Sequence, residues 1–344
     1  KDSIKSAVFI DENALPFYEV ASEHDVLEER LSRELYMNFK QDGITCDIHR
    51  FTKGDELSTV TVQNLFDRRD LILLDWKLDK NDGELLSLKL LEEIIRKDHI
   101  HFCVIYTKET DANLDDIYWN ILSYFSGSDR TFYSDIKLEL ADLEEEINPL
   151  LSEIKYHSEN RFNKNIRKER GLFLIKHREI VNRSVAATGE SDKLCALIKV
   201  GIAFSNQYTS EHALPCPNMI SPTNKTITIN NTIITALNKD ANKPDVLIES
   251  FSSQISESKY SFLQLLGLEA HKIFSKNSAF IDSRMLAISK EAFLFHRNQK
   301  KEENFSEFIK EILIEKVRLN FRGEELLLLN DVLLDRMVAE NEID

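Results

Sequence analysis

The stretch Asp70–Gly83, DLILLDWKLDKNDG, sets the carboxylate of Asp75 at the end of an apolar run and follows it with a polar loop that closes on glycine. Leu71–Leu74 show no polar alternation, the pattern of a short strand covered on both faces. Asp75 is therefore carried to the edge of a sheet. The chain must turn there to enter the amphipathic ELLSLKLLEEIIRK of Glu84–Lys97.

Outward from this stretch, strand-like and helix-like segments alternate. Lys5–Ile10 is a short apolar run ending in the acidic DEN. The segment from Glu23 to Gly43 then carries Val26, Leu27, Leu31, Leu35 and Phe39 at helical spacing, with Gly43 as its stop. Thr45–Phe51 (TCDIHRF) and Ile100–Thr107 (IHFCVIYT) read as further strands. Such alternation predicts a mainly parallel sheet wound with helices on both faces, whose ligands gather at the carboxyl ends of the strands.

Beyond Thr107 the pattern loosens. NLDDIYWNILSYFSG reads as a helix, KLELADLEEEINPLLSEI as an acidic helix broken near Pro149, and RFNKNIRKER as a basic one. GLFLIKH, Gly171–His177, is predicted to be the last strand, so 128–170 becomes a helical insertion. From about Ser184 the segments KLCALIKVGIAFSNQY, KYSFLQLLGLEAHKIF and NFSEFIKEILIEKVRLNF read as helices of a bundle. Within that stretch, KTITINNTIITAL reads as one hairpin around Asn230-Asn231. The expected division is 1–183, an α/β domain, and 184–344, a predominantly α-helical one.

Composition narrows the partners. The 344 residues include 44 Lys plus Arg against 59 Asp plus Glu, a formal charge of -15, which disfavours DNA binding. Cys46, Cys103, Cys195 and Cys216 have no paired short spacing, against a zinc knuckle or disulfide scaffold and in favour of a reducing cytoplasm. No apolar run approaches the roughly 18 residues of a membrane span, and KDSIKSAVFI does not read as a secretory signal.

Three strand ends deliver polar groups to one sheet edge: Asp11 and Glu12, Asp75, and Thr107. Carboxylates gathered in this way repel one another unless a hard cation such as Mg²⁺ compensates them. With Gly83 eight positions after Asp75, this constellation resembles the receiver domain of two-component response regulators.

The resemblance implies a doubly wound, five-stranded flavodoxin-like receiver in which Asp75 is the phosphoacceptor and Thr107 bonds a phosphoryl oxygen. It implies Mg²⁺ held by Asp11, Glu12, Asp75 and the backbone carbonyl of Lys77. It also implies a lysine that pairs with the phosphate. Lys176 in GLFLIKH is the candidate and Lys137 in YSDIK the runner-up. The family's loop proline after the phosphoacceptor and its terminal lysine-proline pair are missing.

The expected function is relay of a phosphoryl group from a sensor histidine kinase to a downstream effector protein, with at most autophosphatase activity. A homodimer is compatible with this role. Receivers followed by helical regions resemble those of bacterial conflict systems, which extends the expectation to antiphage defence. The alternatives are an unphosphorylated pseudo-receiver scaffold and a metal-dependent phosphatase.

Other signals have plainer readings. His271 in EAHKIFSKNS resembles a phosphotransfer histidine but reads as a packing residue. Arg161, Lys164, Arg167, Lys168 and Arg170 read as a solvated helix face, paired with acids such as Glu144–Glu146. Arg96 and His101 straddle a helix end and a strand start, which disfavours a ribonuclease pair.

Overall fold

The computed structural model describes residues 4–17, 26–52, 64–79, 83–99, 101–126, 130–159, 164–205, 208, 214–215, 217, 219–221, 225–257, 266–267, 269–270, 273, 289–299 and 305–322. By its pattern of contacts the chain divides into a unit spanning Ser3–Ser261 and another spanning Phe262–Asp344.

The first unit is built on a seven-stranded sheet of order β2-β1-β3-β4-β7-β6-β5. Its strands are β1 (Ser6–Asp11), β2 (Thr45–Arg50), β3 (Leu71–Leu74), β4 (His101–Thr107), β5 (Met219–Ser221), β6 (Thr226–Ile229) and β7 (Thr232–Asn238). The five strands β2, β1, β3, β4 and β7 are parallel, while β6 and β5 extend the sheet antiparallel beyond β7. This is the doubly wound five-stranded core expected, enlarged by a hairpin partner.

Burial follows strand position. Every residue of β3, β4 and β7 is buried, whereas β2 at the edge alternates exposed and buried along most of its length. Central strands packed on both faces need an unbroken apolar run, and an edge strand does not. Helices α1 (Val26–Gln41), α2 (Gly83–Ile95) and α3 (Asp111–Ser126) follow β1, β3 and β4. The core contains Ile72, Leu74, Leu91, Ile105, Trp119 and Phe125.

Two expectations are corrected. The segment 171–177 is not a strand: Arg167–Lys176 is a helix, in which Phe173 is buried while Leu172 and Ile175 are exposed. A run of four apolar residues cannot separate strand from helix by periodicity, and here only Phe173 and the half-buried Leu174 reach a core. The last parallel strand is instead β7. The α/β unit therefore does not end at 183 but takes the strands that complete its sheet from residues 219–238.

The pattern TITINNTIITAL does form a hairpin, turning at Asn230 with φ +50°. Its asparagines reach across to the start of β4: Asn230 Nδ2 donates to the Ile95 carbonyl at 3.1 Å and Asn231 Nδ2 to that of Asp98 at 2.9 Å. These bonds dock the hairpin beside β4 and make β7 a core strand.

The insertion is also longer than 128–170. Between β4 and the hairpin lie α3, α4 (Arg130–Glu139), a 3-10 turn (Ala141–Leu143), α5 (Glu144–Glu159), a second 3-10 turn (Lys164–Ile166), α6 (Arg167–Lys176), α7 (Arg178–Thr188) and α8 (Lys193–Ser205). Helix α5 runs through Pro149 without ending there. These helices share a second core that includes Ile136, Ile147, Ile154, Phe173, Val181 and Leu197.

Gly201 lets α8 approach closely, since a Cβ there would stand 3.4 Å from Ile154 Cγ2 and 3.6 Å from Trp119. Ser123 Oγ donates to the Ile202 carbonyl at 2.8 Å, tying α3 to the same helix.

In the second unit the longer described elements are α10 (Lys290–Gln299) and α11 (Phe305–Arg322); α9 (Leu247–Glu257) belongs to the first. Among the described residues no helix is long and apolar enough to cross a membrane.

Candidate functional site

The parallel ladder brings four chain segments to one edge. Asp11 ends β1, Asp75 directly follows β3, Thr107 ends β4, and Lys239 directly follows β7. The Asp75 amide donates to the Ile10 carbonyl at 2.9 Å, and the Lys239 amide donates to the Thr107 carbonyl at 2.7 Å. Neighbouring strands thus fix both backbones before any side-chain contact is made. All four side chains are buried: Asp11 6%, Asp75 8%, Thr107 3% and Lys239 6% exposed.

Lys239 Nζ lies 2.5 Å from Asp11 Oδ2 and 2.5 Å from Asp75 Oδ1. Backbone amides take the remaining oxygens: Asn13 N donates to Asp11 Oδ1 at 2.7 Å and Lys77 N to Asp75 Oδ2 at 3.1 Å. The ammonium also sits 5.6 Å from the centre of the Phe9 ring and 5.8 Å from that of Tyr106, within cation-π range.

Burial pushes the Asp75 carboxyl up to about 6, with Lys239 opposing the shift and Asp11 adding to it. Burial alone would lower the Lys239 ammonium, but Asp75 and Asp11 outweigh it and hold it above its ordinary value. The pocket therefore keeps a permanent cation between two carboxylates.

The loop after Asp75 is held from below. A Cβ on Gly83 would fall 2.8 Å from Leu78 N and 2.9 Å from the Lys77 carbonyl carbon, a contact with rigid backbone. Ser87 Oγ lies 2.8 Å from the Asp75 carbonyl, 2.8 Å from that of Trp76 and 3.0 Å from that of Gly83, so α2 grips the turn. The glycine is thus required by close approach, and the turn places the Lys77 backbone beside Asp75.

Across the mouth, Lys77 Nζ pairs with Glu109 Oε1 at 2.5 Å. Asn113 donates to Glu109 Oε2 at 2.6 Å, and Asn238 Nδ2 donates to the Glu109 carbonyl at 2.5 Å. One residue thus joins the loops that follow β3, β4 and β7.

Asp11 and Asp75 meet on Lys239, and Thr107 ends the neighbouring strand β4. Glu12 is half-exposed at the rim, where its carboxylate accepts from Asn13 Nδ2 at 3.3 Å. Lys176 ends α6 and Lys137 lies in α4, both exposed, with Lys137 Nζ 5.8 Å from the Phe204 ring centre. Neither takes the place expected of it, because neither of the segments that carry them is a strand.

Lys239 was missed because 171–177, and not β7, was expected to be the last strand. Its signal was present in TIITALNK, a β-rich run ending in lysine, but lay beyond the expected end of the α/β domain. Arg96 pairs with Glu92 and Glu93, and His101 bonds Thr232, so both serve the fold. His271 lies outside the described residues.

Residues 3–161 match the family model of the response receiver domain. The N-terminal part of the chain is a receiver domain. No curated protein and no solved structure matches the chain. The matched segment contains Asp11, Asp75 and Thr107 and stops short of β7 and Lys239. In this receiver, then, the strand beside β4 and its lysine come from beyond the matched residues.

The site supplies oxygen donors only, the chemistry of a hard cation. Two carboxylates share one ammonium, which leaves the pocket negative, with Glu12 at its rim. The residues therefore fit Mg²⁺. Among the described residues no group of three or more carboxylate, imidazole or thiol side chains stands assembled as a metal site.

Proposed function

We propose that Asp75 accepts a phosphoryl group from the phosphohistidine of a sensor kinase and that the protein passes the signal on through protein contacts. The observation that carries this reading is the buried Lys239 ammonium, 2.5 Å from both Asp11 and Asp75 at the edge where four strands end.

In the transfer, an Asp75 carboxylate oxygen forms the new O–P bond as the P–N bond to the donor imidazole breaks. The imidazole leaves with the bonding electron pair and takes up a proton. Asp11, Glu12, Asp75 and the Lys77 carbonyl are the residues that would hold Mg²⁺, whose chemistry is to neutralise charge on the transferring group. Thr107 and Lys239 are placed to receive phosphoryl oxygens, and Lys239 is already charged and desolvated. Lys239 takes over the role first expected of Lys176.

The test is a small phosphodonor such as acetyl phosphate with Mg²⁺, followed by intact mass. Wild type gains one phosphoryl group and Asp75→Asn gains none. Beryllofluoride with Mg²⁺ raises the melting temperature of wild type alone. Labelling of Asp75→Asn at the same rate, or no response in wild type, overturns the reading.

A second reading is an unphosphorylated scaffold, since among the described residues no three-ligand cluster stands assembled. It predicts no Mg²⁺-dependent response at all. A phosphatase is less well supported, because the position two residues after Asp75 is Lys77, which carries no carboxyl and is paired to Glu109. The proposed setting is the bacterial cytoplasm, with an antiphage conflict system as the extension. An adjacent kinase and effector in the gene neighbourhood would support it.

A further inference from the structure

The helical insertion carries two exposed surfaces of opposite charge, each with an apolar centre. On α6, Leu172 and Ile175 are 60% and 71% exposed, while Phe173 between them points into the second core. Lys168 and Lys176 stand four residues either side of Leu172, so all four lie on one helix face. Among the described residues no ion pair occupies Lys164, Lys168 or Lys176.

The second surface lies on α4 and the 3-10 turn that follows. Leu138 is 75% exposed there. Asp135 and Glu139 lie close to it and are exposed, as is Asp142, whose two carboxylate oxygens both pair with Arg183, so among the described residues the unpaired acids there are Asp135 and Glu139. Basic residues around Leu172 and Ile175 thus have their chemical complement, acidic residues around Leu138, on the same molecule.

We propose that α6 of one copy docks on the α4 and 3-10 surface of a second copy of this chain. The net charge of -15 repels two copies wherever acid meets acid, so attraction is concentrated at the basic patch, which fixes the approach. Leu138, Leu172 and Ile175 then lose the water they now face. A bilayer would receive only two apolar side chains from α6, because Phe173 is committed to the core. A polyanion would meet those same apolar residues at the centre of the patch, where phosphate gains nothing.

Sedimentation velocity of the full chain at high micromolar concentration tests this. Wild type associates at low salt and less at high salt. Lys168→Glu with Lys176→Glu, or Asp135→Lys with Glu139→Lys, each weakens self-association by roughly tenfold or more. Mixing the two reversed proteins restores it, since each then supplies the surface the other lacks. Circular dichroism confirms that both variants keep their helices.

The proposal is overturned if wild type stays monomeric at low salt, if either reversed protein associates like wild type, or if the mixture does not recover. Binding of wild type to phosphatidylserine vesicles or duplex DNA without self-association overturns it too.

Discussion

Asp75 and Lys239 hold each other's charge, and substituting either changes stability in a pH-dependent way. With the Asp75 carboxyl pushed up to about 6 by burial, its ionised form is disfavoured in the fold. Asp75 therefore contributes no penalty below its unfolded value near 4, and a growing one as pH rises through about 6. Asp75→Asn should gain stability relative to wild type over that window, about 2 kcal/mol by pH 7.5 without Mg²⁺, measured by urea unfolding across pH. Lys239→Ala leaves two buried carboxylates without a counter-ion. It should lose roughly 3 kcal/mol or more at pH 7.5 and recover part of it near pH 5.

At the scale of elements, the β4–β7 pairing contains a second titration. His101 is fully buried, with Nδ1 2.7 Å from the His99 carbonyl and Nε2 3.0 Å from Thr232 Oγ1. Nδ1 therefore carries the proton and Nε2 accepts. Burial pushes the imidazole down to about 4. A depressed histidine stabilises the fold above its unfolded value near 6.5, and that contribution fades as pH falls towards 4. The stability of wild type relative to His101→Gln should drop by about 3 kcal/mol across this window, measured by urea unfolding.

Gly83→Ala acts on the turn instead. Its Cβ would press into the backbone of Lys77 and Leu78, so unfolding free energy should fall by about 1 to 3 kcal/mol. Acetyl phosphate labelling should slow with it.

These elements also show where sequence was legible. β1, β3 and β4 announce themselves as apolar runs ending in Asp11, Asp75 and Thr107, because buried parallel strands need continuous hydrophobicity. α6 and β7 do not. LFLI is too short a run to distinguish its period, and the threonines of β6 and β7 mimic a half-solvated hairpin although every residue of both strands is buried. Pairing partner, rather than local pattern, decided both, and no local feature shows that residue 232 lies beside residue 101.

At the scale of the whole molecule, the division at Ser261 predicts where the chain can be cut. A chain ending at 183 lacks β7 and Lys239, exposing the edge of β4 and the pair Asp11–Asp75. It should be aggregated or unfolded by circular dichroism and size exclusion. A chain ending at 261 retains the entire sheet and should unfold cooperatively.

Because β7 joins β4 from so far along the chain, vectorial synthesis leaves the acidic site incomplete for a time. At translation rates of about 5 to 20 residues per second, roughly ten seconds pass between emergence of Thr107 and of Lys239. Throughout that interval the acidic residues lack their ammonium partner, and β4 has a bare edge. A ribosome-bound or prematurely terminated protein accordingly lacks the buried ammonium, so only a finished first unit presents the assembled site.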